Sequence, residues 1–122
     1  MNINKNQLLS SFLETIEGIA SKEYQKRVWI EGIGPECDDF EETVNWFFDD
    51  GRLILKNIND YGFTNNQYLI LKIFFDEFEA FSDEHYLAQE FIDTPEWTKI
   101  TERAKEVLKA FHWGSSDKLH TS

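Results

Sequence analysis

The stretch TNNQYLILKIFFDEFEAFS, residues 64–82, decides the fold. Within it Leu71, Phe74, Phe75, Phe78 and Phe81 recur at the spacing that stacks side chains on one face of an α-helix. Thr64 with Gln67 three positions on reads as a capping box, each side chain reaching the other residue's backbone N–H. The spacing therefore predicts a helix opening at Thr64, and four phenyl rings on one face read as core to be covered by other helices.

Reading outward gives those helices. Downstream, Thr94 serves as N-cap, Pro95 as first helical residue and Glu96 as first-turn acid, ahead of Trp97, Ile100, Ala104, Val107, Leu108 and Phe111. Gly114 is expected to stop that helix, leaving 115–122 as a flexible tail. Upstream, Leu9, Phe12, Leu13, Ile16 and Ile19 form an amphipathic stripe that predicts a helix from about Asn4 to Ala20. Lys22 to Ile30 is read as helical, although Val28-Trp29-Ile30 also suits an extended chain, and Gly32-Ile33-Gly34-Pro35 breaks it. Asp38 with Glu41 resembles a second capping box, and Phe40, Val44, Phe47 and Phe48 predict a helix over about Asp39 to Asp50 with Gly51 as its C′ residue. Arg52 to Asn59 is expected to be a separate short helix ending near Gly62. No run alternates as a strand would. The reading is an all-α single compact bundle of about four to six helices with an aromatic-rich core, one domain over 1–114.

Eleven Phe and four Trp among 122 residues supply enough apolar surface for one core. The single Cys37 excludes an internal disulfide framework and points to a cytoplasmic protein. No apolar run approaches the ~20 residues that a spanning helix needs. The formal net charge of −11 opposes direct contact with nucleic acid or anionic lipid. Its distribution is more informative than its size. From Val28 to Gly51 and from Ile73 to Thr98 there is no Lys or Arg, and these windows hold sixteen of the 23 acids.

Catalytic constellations are lacking in the pattern. A di-metal bundle needs Glu-x-x-His pairs on two helices, and neither His85 nor His112 nor His120 has such a partner. Asp49-Asp50-Gly51 lacks the alternating oxygens and final Glu of a calcium loop. Cys37 follows a Gly/Pro break with no helical His close in sequence, and no Gly-rich phosphate loop is present. The expectation is a protein without metal or cofactor that is not an enzyme; a helical-bundle metalloenzyme is the least favoured alternative.

The acids themselves are the candidate site. Asp38, Asp39, Glu41 and Glu42 sit at a helix start, where the macrodipole favours them. Asp49 and Asp50, read as the end of that helix, and Asp76, Glu77, Glu79, Asp83 and Glu84, in the second half of the helix that opens at Thr64, sit where it disfavours them. Anions held against local preference point to a cationic partner. Trp46 lies off the Phe40/Val44/Phe47/Phe48 stripe and is read either as an exposed aromatic anchor among these acids or as a core residue. The candidate partner-binding surface is Asp49, Asp50, Asp76, Glu79, Asp83, Glu84 and Trp46, extended by Asp39 and Glu42.

Several blocks carry a resemblance. Arg27-Val28-Trp29-Ile30, Gly34-Pro35-Glu36-Cys37-Asp38-Asp39-Phe40, Phe47-Phe48-Asp49-Asp50-Gly51, Asp76-Glu77-Phe78-Glu79-Ala80-Phe81-Ser82-Asp83 and Glu90-Phe91-Ile92-Asp93-Thr94-Pro95-Glu96-Trp97 together resemble immunity proteins of bacterial contact-dependent growth inhibition systems, over roughly residues 5 to 113. The resemblance implies a protein that binds and neutralises the C-terminal toxin domain of a cognate effector, often a nuclease and in some cases a transfer-RNA nuclease; a monomer is the expected state. The charge pattern agrees with it, since a nuclease must be basic to hold phosphates. The alternative reading is an acidic regulatory or adaptor domain with a different basic protein partner.

Overall fold

A computed structural model describes residues 5–35 and 38–113. The order is α1 (Lys5–Ala20), α2 (Lys22–Tyr24) running directly into a π-helical segment (Gln25–Ile30), α3 (Phe40–Lys56), a 3-10 turn (Ile58–Asp60), α4 (Asn65–Ser82), α5 (Ala88–Phe91) and α6 (Pro95–Ala110). No strand occurs among the described residues. The all-α bundle read from the sequence is the fold observed. Gly114 and the expected tail, like Cys37, lie outside the described residues.

Both expected caps of the later helices form. Thr64 Oγ1 accepts from the Gln67 backbone N–H at 3.0 Å, and the Thr64 N–H donates to Gln67 Oε1 at 2.9 Å. Gln67 Nε2 also donates to the Ala110 carbonyl at 3.1 Å, so the start of α4 caps the end of α6. Thr94 Oγ1 accepts from the Trp97 N–H, with Pro95 in the first turn of α6. A neutral-to-neutral cap of this kind contributes about 1 kcal/mol.

Helix α6 packs on α1 and α4, and α1 packs on α3. The predicted stripes face the space between: Phe12, Ile16, Phe47, Phe74, Phe78, Phe91 and Trp97 are fully buried. Two rings are hubs. Phe47 meets Phe12, Phe48, Phe74, Phe75 and Phe78 with centroids 4.9 to 5.5 Å apart, and Trp97 meets Phe40, Phe81 and Phe91 within 5.9 Å. Phe78 touches both hubs. Each such pair adds about 0.5–1.5 kcal/mol beyond area burial, so the core is specified by ring geometry as well as apolarity.

One buried polar side chain crosses this core. Gln25, fully buried at the start of the π-helical segment, donates from Nε2 to the carbonyls of Gly18 and Ile19, both at 2.9 Å. Its Oε1 accepts from Trp97 Nε1 at 2.8 Å. The carbonyls left open at the end of α1 are thereby satisfied by a side chain that α6 in turn completes.

The middle of the chain departs from the sequence reading in two places. Helix α3 does not stop at Gly51 but continues to Lys56, absorbing the first part of the separate helix expected at Arg52 to Asn59. Gly51 is buried, and a Cβ there would stand 2.9 Å from the Phe75 ring and 3.1 Å from that of Phe12. Close approach of three helices requires the glycine, not a helix end. Asp49 and Asp50 are therefore interior residues of α3, and the argument that the helix terminus disfavours them does not apply. The chain turns later, through the 3-10 turn and Gly62 at φ +64°. The second correction concerns the cap of α3. Asp39, not Asp38, accepts from the Glu42 N–H at 2.8 Å.

Candidate functional site

Asp38 is freed from capping for another task. Its carboxylate accepts from Tyr24 Oη at 2.7 Å, from Trp29 Nε1 at 3.1 Å and from Thr43 Oγ1 at 3.0 Å, tying α2, the π-helical segment and α3 together. This knot closes one end of a groove of about 830 Å³ between α1 and α3. The α1 wall is Ser11, Glu14, Thr15, Glu17 and Gly18; the α3 wall is Thr43, Trp46 and Asp50; Ser21, Tyr24 and Asp38 complete it. Small side chains on α1 leave the space. A Cβ at Gly18 would lie 3.3 Å from the Tyr24 ring, so the glycine lets that ring rest against α1.

The groove is acidic. Glu14, Glu17, Asp38 and Asp50 line it, and among the described residues no Lys or Arg does. The pKa of Asp50 is raised above its ordinary value, first by burial and then by the neighbouring Asp49, with a hydrogen bond from Ser11 opposing. The Arg27 guanidinium, which is not part of the lining, lies over the Tyr24 ring, 5.8 Å from its centroid. Trp46 keeps 49% of its surface exposed, as expected for an anchor off the core stripe.

Of the nine residues picked from sequence, the structure gathers four on one face of α3. Glu42, Asp49 and Asp50 lie within about 60° of Trp46 around the helix, all exposed except the half-buried Asp50. Asp39 stands at the start of the same helix as its cap. The α4 acids are placed differently. Asp76 receives Lys72 Nζ at 2.8 Å, Glu79 receives Arg52 at 3.3 Å from α3, and the neighbouring Glu77 receives Arg103 at 3.1 Å from α6. Hydrogen bonding to Asp76 and to Glu77 raises the pKa of Lys72 and of Arg103 respectively. Asp83 is the C-cap of α4 and, with Glu84, is exposed at its end.

Sequence reasoning missed the α1 wall, giving Glu14 and Glu17 no role beside the apolar stripe. A signal existed: Ser11, Thr15 and Gly18 repeat at i, i+4 and i+7, a row of small residues beside Glu14 that cannot fill a helix seam. His85 has a structural role: it stacks on Phe81 with centroids 3.9 Å apart and its Nδ1 lies 2.9 Å from the Phe81 carbonyl. Among the described residues no three His, Cys, Asp or Glu side chains are placed to hold a metal ion, and no helix is long and apolar enough to cross a membrane.

No protein-family model, curated protein or solved structure matches this chain. The site is therefore read from its own chemistry.

Proposed function

We propose that this chain is a binding protein whose α1–α3 face covers a basic surface of a partner protein, the C-terminal toxin domain of a contact-dependent growth inhibition effector. The observation that carries the reading is the groove: an indole half exposed to water, flanked by carboxylates, with no lysine or arginine among the described residues that line it. Exposing so much of an indole wastes apolar surface, and gathering carboxylates raises their mutual repulsion. A cationic partner relieves both. The ion pairs on α4 show the contrast, since the acids there are already matched by the chain's own cations.

Neutralisation by coverage needs no catalytic residue. A basic nuclease face offers the charge that complements the groove, and the protein's net charge of −11 steers the encounter from a distance. The proposal places this action in the cytoplasm, with the protein as a monomer. The residues given most weight are Glu42, Trp46, Asp49 and Asp50 on α3 with Glu14 on α1, ahead of Asp76 and Glu79. Co-expression with the C-terminal domain of an effector encoded beside this protein is expected to relieve toxicity and to yield a one-to-one complex. A toxin domain that stays lethal and elutes alone would refute the proposal, and retention of a different basic protein would favour a regulatory or adaptor role.

A further inference from the structure

We infer that the groove between α1 and α3 receives an arginine side chain of the partner, its guanidinium flat on the Trp46 indole and its N–H edge toward Asp50 and Glu14. The inference rests on the binding role proposed above and specifies what enters the groove.

The protein already contains the arrangement in complete form. On α3, Phe48 and Arg52 stand four residues apart; the Arg52 guanidinium lies 5.2 Å from the Phe48 ring centroid while its Nη2 reaches Glu79 at 3.3 Å. Ring, guanidinium and carboxylate thus form one cluster. Trp46 and Asp50 also stand four residues apart on α3, with a carboxylate in place of the cation, and both line a groove in which no described residue is a Lys or Arg. Arg27 over Tyr24 repeats the preference at the groove's far end.

Size and geometry narrow the ligand further. A space of about 830 Å³ is far too large for a bare ion and admits a long side chain with its flanking backbone. A planar guanidinium stacks on an indole and donates from its edge to carboxylates on two walls at once, whereas an ammonium is a point charge that holds its water more tightly. Asp50, whose ionised form is disfavoured by burial and by Asp49, gains most from a cation at that position.

The test is an NMR titration of the isotope-labelled full chain with the capped peptide Gly-Gly-Arg-Gly-Gly at low ionic strength. Parallel titrations use its lysine and citrulline analogues, the latter keeping the shape without the charge. Saturable shifts are expected at the Trp46 indole N–H and at amides of 11–18 and 43–50. Affinity should fall about tenfold for citrulline, less for lysine, and about tenfold in Trp46→Ala and in Asp50→Asn. Trp46 is exposed and Asp50 half-buried, and unchanged amide spectra away from the groove certify the fold. Asp76→Asn should bind the arginine peptide as the parent does. Shifts scattered over α4 and α6, equal affinity for the arginine and lysine peptides, or undiminished affinity in Trp46→Ala would overturn the inference. If the chain captures the toxin domain yet shows no saturable groove shift, the arginine assignment falls and the binding role stands. A groove that takes the peptide in a chain that ignores the toxin gives the reverse.

Discussion

The α1–α3 groove and the α4–α6 seam are both acidic, but Asp38 and Asp50 in the groove are matched differently from the acids of the seam. At the seam Glu77 meets Arg103, while nearby Asp76 meets Lys72 and Glu79 meets Arg52. In the groove Asp38 is satisfied by three neutral donors, whereas Asp50 gains a hydrogen bond from Ser11 and loses more by its surroundings. Counting acids therefore does not locate a binding surface. What separates the two regions is whether the fold itself provides the opposing charge.

The largest test of this contrast concerns Asp38, the groove acid that ties three elements together. Asp38→Ala removes the acceptor of three hydrogen bonds and is expected to cost about 3 kcal/mol, read by urea denaturation, since leaving buried or half-buried donors unmatched is expensive. A loss below about 1 kcal/mol would mean that Asp38 is no more structural than its neighbours. Charge reversal separates the regions next. Asp49→Lys with Asp50→Lys should slow association with the toxin domain about tenfold at low salt with the fold intact, while Asp76→Lys with Glu79→Lys should slow it less. The opposite ranking in stopped-flow measurements would invert the comparison.

Smaller effects sharpen it. Arg103→Ala should lower stability by about 0.5–1 kcal/mol, as expected for a partly exposed pair, and leave partner binding unchanged. Asp50 supplies the smallest signal, and its sign is definite. Because its folded pKa is raised, the folded state holds the proton more tightly; the stabilising contribution is full below the ordinary value of 3.8 and is lost as pH rises through the raised value. Asp50→Asn should therefore be slightly more stable than the parent at neutral pH, with the difference vanishing in acid. A cation in the groove reverses the shift, so partner binding should release a proton across that window and tighten as pH rises. Calorimetry in buffers of different ionisation enthalpy measures the proton directly.

Much of this architecture was legible because it is local. The stripes of α1, α4 and α6, the capping box at Thr64 and the cap at Thr94 depend on residues within a turn or two of each other. Gly51 was misread for the opposite reason: a glycine after two acids resembles a helix stop, and the Phe75 and Phe12 rings that explain it arrive from elsewhere in the chain. Asp38 was taken as a cap because its real partners lie five, nine and fourteen residues away. Asp76 could have been read correctly. Lys72 stands one residue outside the base-free window, and a helix brings it to Asp76 regardless of where the window is drawn. The Glu79 pair, 27 residues apart in sequence, could not.

The bond from Trp97 to Gln25 spans 72 residues, and it sets a schedule for synthesis. At about 5–20 residues per second, helix α1 and the π-helical segment wait roughly 4–14 seconds for the indole that completes them. Until then the Gln25 oxygen must face water, and the first helix has neither α6 to lie on nor a dry core to close. Assembly is therefore all at once and late: a nascent chain arrested before α6 should remain protease-sensitive along its whole length, while one carrying α6 clear of the ribosome should become resistant in a single step.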